Sequence, residues 1–291
     1  MARMSVMTGI LTAAVLAFGT ACGSGAPSAL GTSPPPRTTP PAASPSPTLS
    51  PLPSSPAAPS PSVPSSPPRP TTALPGTTAP PSTPQVSTAL VFTTAHSGRY
   101  VALTFDDGPH PTYTPQILAL LQRYGAHATF CEIGRNAQAF PDLVRQVVAD
   151  GNRLCDHTMT HDEQLGTRPL STITQQIGAG KQVLLELGGG APLPYYRQPG
   201  GNWTMTIRQV AADNGMQSLH WSVDPRDWSM PGTAAIVARV EANLRPGSVL
   251  LMHDGDGDLG PGAGDRSQSV AALAILLPWM IQQGYRFDYP G

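Results

Sequence analysis

The stretch Tyr100-Val101-Ala102-Leu103-Thr104-Phe105-Asp106-Asp107-Gly108-Pro109-His110-Pro111 decides how the rest of the chain is read. An apolar run ends in two adjacent carboxylates and breaks into Gly, Pro and His, the pattern of a buried strand that delivers two acids into a loop. Neighbouring strand residues point to opposite faces, so two adjacent Asp at a strand end can take different jobs. Three later clusters complete the picture: His157-Thr158-Met159-Thr160-His161, Asp224-Pro225-Arg226-Asp227-Trp228, and Leu250-Leu251-Met252-His253-Asp254. Paired acids, paired histidines and a further Asp and His have the composition of a hydrolytic metal site with a separate base and acid.

Outward from this stretch, short apolar runs alternate with helix-like segments. Strands are predicted at Tyr100–Asp106, His127–Ile133, Arg153–Asp156, Tyr195–Arg197, Met216–Val223, Ser248–His253 and Tyr285–Phe287. Thr114-Pro115 reads as an N-cap with a first-turn Pro, opening a helix that Gly125 stops. Further helices are predicted over Pro141–Asp150, Ser171–Leu187, Thr204–Asn214, Thr233–Leu244 and Ser267–Gln283. Strand-then-helix alternation implies an α/β fold with a parallel sheet, either closed as a barrel or doubly wound. Every chemical cluster follows a strand, where α/β folds place their sites. Roughly 190 residues are enough for one core without staples.

The N-terminal third differs. Of 35 Pro in the chain, 21 lie between Pro27 and Pro84, and the only charged residues between Gly23 and Pro84 are Arg37 and Arg69. Residues 23–95, rich in Pro, Ser, Thr and Ala, carry too few large apolar side chains to offset ordering entropy and read as a disordered linker. Residues 1–22 read as an export signal: Arg3, an apolar stretch from Met7 to Phe18, then small residues up to Cys22. The stretch is too short and too rich in Thr and Gly for a membrane span, which needs about 20 apolar residues. Residues 96–291 form the expected catalytic domain. The net charge of −1 gives no field that would draw nucleic acid.

The order and spelling of T-F-D-D-G, H-T-x-x-H, R-x-P-G, D-x-x-D-W and L-x-H-D, spread from about Arg99 to Tyr289, resemble the polysaccharide deacetylase family (the NodB-homology domain, carbohydrate esterase family 4). The resemblance implies a distorted (β/α) barrel of about seven parallel strands. It also implies a divalent ion, zinc above all, on Asp107, His157 and His161. Asp106 would be the general base, held ionised and oriented by Arg197. His253 would be the general acid, its tautomer set by Asp227. Gly200 would offer a backbone N–H to the oxyanion, and Trp228 would wall the site. Gly200 stands where the family often has an aromatic. The implied reaction removes N-acetyl groups from a polysaccharide. Peptidoglycan N-acetylglucosamine is the leading substrate; chitin oligomers and acetylated xylan are the alternatives, and outside catalysis a sugar-binding wall protein. The segment ending Ala21-Cys22-Gly23-Ser24 resembles a bacterial lipoprotein cleavage box, with Gly19 departing from it. It implies lipidation at Cys22 and attachment to the membrane through that anchor alone, with plain secretion as the alternative. A monomer is expected.

Two features stand apart. Cys131 and Cys155 fall on consecutive predicted strands of an exported chain, so they are either a disulfide or two buried thiols. Asp254, Asp256, Asp258 and Asp265 mimic a calcium loop, but Leu259 occupies the position that needs Gly, and the last ligand position is Asp rather than Glu. A solvated loop at the rim of the site is the preferred reading.

Overall fold

The structure is a computed structural model, and it describes residues 86–291. The signal segment, Cys22 and the linker as far as residue 85 lie outside the described residues. Strand β1 is Leu90–Val91, β2 Tyr100–Asp106, β3 Ala128–Glu132, β4 Arg153–Asp156, β5 Tyr195–Tyr196, β6 Gln217–Leu219, β7 Ser248–His253 and β8 Arg286–Phe287. All pair in parallel, in the order β1-β6-β5-β4-β3-β2-β7, with β8 added beside β2. The segment after β6 then bends onto β7: Val223 bridges Leu250 in parallel, and Leu251 N–H donates to the Val223 carbonyl at 2.9 Å. That contact curls the sheet into a distorted (β/α) barrel and settles the choice that periodicity left open.

Alternation along β2 divides its side chains between two cores. Val101, Leu103 and Phe105 face outward into the larger core with Ile117, Leu118 and Leu121 of helix α1 (Tyr113–Arg123). Ala102 packs inward with Cys131, Cys155, Tyr195, Leu219 and Val249 in a small core inside the barrel. Both faces are buried, as a parallel sheet covered by helices requires. Cys131 and Cys155 stand opposite each other in the β3–β4 register and are joined as a disulfide.

Helix α2 (Gly134–Ala139) is an addition to the expected elements; its six residues carry no apolar periodicity of their own. Helices α3 (Pro141–Ala149), α4 (Leu170–Leu187), α5 (Met205–Asp213), α6 (Thr233–Asn243) and α7 (Ser267–Gln282) lie where expected, within a residue or two. Two expectations are corrected. The folded domain includes residues upstream of position 96, because Leu90 and Val91 pair with Ser218 and Leu219 and Thr94 bridges Pro290. Thr114 is not the cap of α1: its hydroxyl accepts from His110 N–H at 2.7 Å and donates to Asp254 at 2.5 Å. The hydroxyl is worth more bridging two buried loops than satisfying one helix end that water can reach.

The disulfide closes a loop of 24 residues. In the chain-entropy picture this adds about 3.5 kcal/mol. Cys131→Ala with Cys155→Ala should therefore lower the melting temperature by several degrees. A melting temperature unchanged by both the substitutions and reductant would show that the pair adds nothing.

Candidate active site

The carboxyl ends of β2, β4 and β7 and the loop after β5 converge on one cavity of about 520 Å³. Asp106 is the last residue of β2, paired in register with Cys131 on one side and His253 on the other. Asp107 leaves the strand with φ +76°, which turns its side chain away from that of Asp106. Thr158 and His161, with φ +67° and +62°, share this uncommon backbone region. Such strained non-glycine residues cluster where surrounding structure holds a functional geometry.

Asp107, His157 and His161 each present a ligand atom within 4.8 Å of the others. Asp107 Oδ1 lies 3.4 Å from His157 Nε2 and 3.1 Å from His161 Nε2. It is a buried oxygen without a hydrogen-bond partner. Burial pushes the Asp107 carboxyl up, but its contacts with His157 and His161 outweigh this and hold it well below the usual range. His157 Nδ1 meets the Arg197 carbonyl at 2.8 Å, so it carries the proton and leaves Nε2 free to ligate. One ionised carboxylate and two imidazole nitrogens aimed at one point suit a divalent ion with an open coordination position.

Two charge-assisted pairs flank this triad. Arg197 is fully buried; its guanidinium donates to Asp106 Oδ1 at 2.6 Å, Thr104 Oγ1 at 3.0 Å and the His220 carbonyl at 3.1 Å. On the other side Asp227 accepts from His253 Nδ1 at 2.8 Å, from His253 N–H at 2.9 Å and from Ser269 Oγ at 2.6 Å. Burial pushes the His253 imidazole down, but Asp227 more than reverses this and raises it to about 9. Asp227 itself is pulled below its ordinary value: burial opposes this and the His253 contacts prevail.

Gly200 and Trp228 both line the cavity, and Trp228 is 44% exposed with Arg226 over its ring. Gly201, with φ +68°, makes room for an aromatic that the sequence did not flag: a Cβ there would lie 2.5 Å from the Trp221 ring. Trp221 thus lines the same cavity as Gly200. Glu163 and Arg266 also line the cavity, which no sequence pattern signals, while Asp256 and Asp258 line it as the rim reading of their loop expects. One expectation for the Asp-rich loop is corrected: Asp254 is fully buried rather than solvated, and a Cβ at Gly108 would collide with its carboxylate. Burial and the neighbouring Asp107 and Asp106 push Asp254 up against the hydrogen bond from Thr114. Glu132, also fully buried, is pushed up by burial and by Asp254. No local pattern marks a buried acid pair, because burial is set by the sheet.

Residues 93–219 match the polysaccharide deacetylase family. A chitooligosaccharide deacetylase from Sinorhizobium fredii is 40% identical over 188 residues, 64% of this chain and 87% of that protein. The chain belongs to the polysaccharide deacetylase family. A peptidoglycan-N-acetylglucosamine deacetylase from Bacillus cereus is 42% identical over 198 residues, 65% of this chain and 85% of that protein. A solved peptidoglycan N-acetylglucosamine deacetylase, bound to a naphthyl N-oxidanyl-benzamide, superposes with a TM-score of 0.64 at 33% identity, covering 69% of this chain and 90% of its own. The protein is accordingly a deacetylase, a hydrolase of a family whose members are divalent-metal enzymes.

His253 should titrate near pH 9 when followed by NMR, and in Asp227→Asn it should return towards the free imidazole value of about 6.5. Because the folded value is the raised one, the pair's contribution to stability is complete below about pH 6.5 and is lost as pH rises through about 9. A His253 that titrates alike in both proteins would break the link between them.

Proposed function

We propose that this deacetylase removes the acetyl group from N-acetylglucosamine residues of peptidoglycan, using zinc held by Asp107, His157 and His161. The observation that carries the chemistry is the pairing of Asp106 with Arg197 and of His253 with Asp227, both facing one cavity around an open three-ligand set. When bound, the ion supplies Lewis acidity, polarising the acetamide carbonyl and easing deprotonation of a water. Asp106 takes the proton of that water. Arg197 orients Asp106 by donating to its Oδ1 at 2.6 Å, which points the other carboxylate oxygen into the site. The Gly200 N–H serves the oxyanion that develops at the carbonyl. His253, carrying a proton at neutral pH, hands it from Nε2 to the leaving amine while Asp227 holds Nδ1. Acetate and a free amino sugar leave. Trp221 and Trp228 flank the sugar as an apolar wall.

The choice of peptidoglycan rests on the similarity to the Bacillus cereus deacetylase together with the N-terminal sequence. A lipidated Cys22 followed by the Pro-rich stretch to Pro84 would hold the domain on a tether at the cell's own wall. Chitin oligomers are the second reading, favoured by the 40% identity to the Sinorhizobium fredii protein.

Acetate release from peptidoglycan, chitin oligomers and acetylated xylan, with and without chelator, tests this function. Release is expected from peptidoglycan, lost on chelation and restored by zinc. Asp106→Asn should keep its metal and lose about 10²–10⁴-fold in kcat. Release from xylan alone, or full activity of Asp106→Asn, would overturn the assignment. For the anchor, wild-type protein should fractionate with membrane and Cys22→Ser should not; an unmodified N-terminus downstream of Cys22 in mass spectrometry would mean plain secretion.

A further inference from the structure

The Asp-rich loop after β7 has no part in the chemistry above, yet its backbone lies against a proposed metal ligand. Three of its four carboxylates have clear partners. Asp254 accepts from Thr114 Oγ1, Asp256 pairs with Arg266 at 3.3 Å, and Asp265 accepts from Ser267 N–H at 2.8 Å and Tyr113 Oη at 2.9 Å. Asp258 remains. Its side chain is 77% exposed, and its charged neighbour is His161, with Oδ1 lying 3.5 Å from Nδ1.

The loop is pinned in this place. Arg266 Nε donates to the Gly255 carbonyl at 2.7 Å, and the Arg135 guanidinium donates to the Gly257 carbonyl. Gly257 sits flat against the imidazole: a Cβ there would lie 2.3 Å from His161 Nδ1. Any other residue at 257 would push the loop off the ring, so the approach of Asp258 depends on a glycine before it.

From the other side, the two histidines differ in one respect. His157 has its second nitrogen paired with the Arg197 carbonyl at 2.8 Å. His161 Nδ1 is buried and has no hydrogen-bond partner among the described residues. A ligating imidazole needs an acceptor on its second nitrogen to fix the tautomer and make the ligating nitrogen more basic. We infer that Asp258 is the positioning residue for His161, accepting Nδ1–H and holding Nε2 towards Asp107. The present 3.5 Å exceeds an ordinary N–H···O bond by about half an ångström. An exposed carboxylate covers that gap by a small rotation of its side chain. Glu163 also presents an oxygen within 4.8 Å of His161 and Asp258. It makes a control for negative charge without the short approach.

This inference rests on the metal reading above, and zinc affinity of the full-length chain, measured by competition with a chromophoric chelator, separates the two. Asp258→Ala and Asp258→Asn should bind zinc about 10–100-fold more weakly. Asp258→Glu should recover most of that loss, and Glu163→Gln should stay close to wild type. The melting temperature of metal-free protein should not move, since the Asp258 side chain is exposed. Unchanged affinity in Asp258→Ala, or an equal loss in Glu163→Gln, would overturn the positioning role and leave the metal reading standing. A wild-type chain with no zinc affinity would overturn both.

Discussion

A fully buried guanidinium sits inside this barrel, and its need for partners organises the site. A charge removed from water is tolerated only when it is paired and its hydrogen bonds are filled. Arg197 meets that demand with one carboxylate, one hydroxyl and the carbonyls of Leu219 and His220. Those partners come from β2 and from the end of β6, while Arg197 itself follows β5. One side chain therefore ties three strands together at the end where the chemistry lies. The same contact holds Asp106 in one orientation, and the Arg197 backbone carbonyl orients His157.

Around that pair the site separates its tasks by geometry. Asp106 and Asp107 are neighbours in sequence, but the left-handed turn at Asp107 sends one carboxylate to Arg197 and the other to the two histidines. Two adjacent acids thereby acquire different surroundings and can do different work. On the far side the His253–Asp227 pair is held by Ser269 of α7, so the helix that follows β7 steadies the pair. Each member is fixed by a contact that removes rotational freedom before substrate arrives, which is how preorganised sites lower a barrier.

Much of this was legible from residues alone. The apolar run ahead of Asp106 located β2 to the residue, and the runs ahead of His157 and His253 located β4 and β7 equally well. Long strands and helices announce themselves through periodicity. β1, with two residues, and α2, with six, carry no such signal, and both exist because neighbouring elements offer them partners. Thr114 misled for a related reason, since a hydroxyl ahead of a helix is the ordinary sign of a cap, whereas here a buried carboxylate outcompetes the helix end.

The sequence by itself determined the order of the strands along the chain, the residue types of the site and the placement of each reactive group after a strand. Those are local properties, written in apolar patterning and in short motifs with specific chemistry. Tertiary structure alone decided that the sheet curls until Val223 meets Leu250, that Trp221 fills the room left by Gly201, that Asp254 and Glu132 are buried together, and that Gly257 brings Asp258 to His161. Each of these joins residues far apart in the chain, and which of them meet is set by strand order and register, which no local pattern encodes.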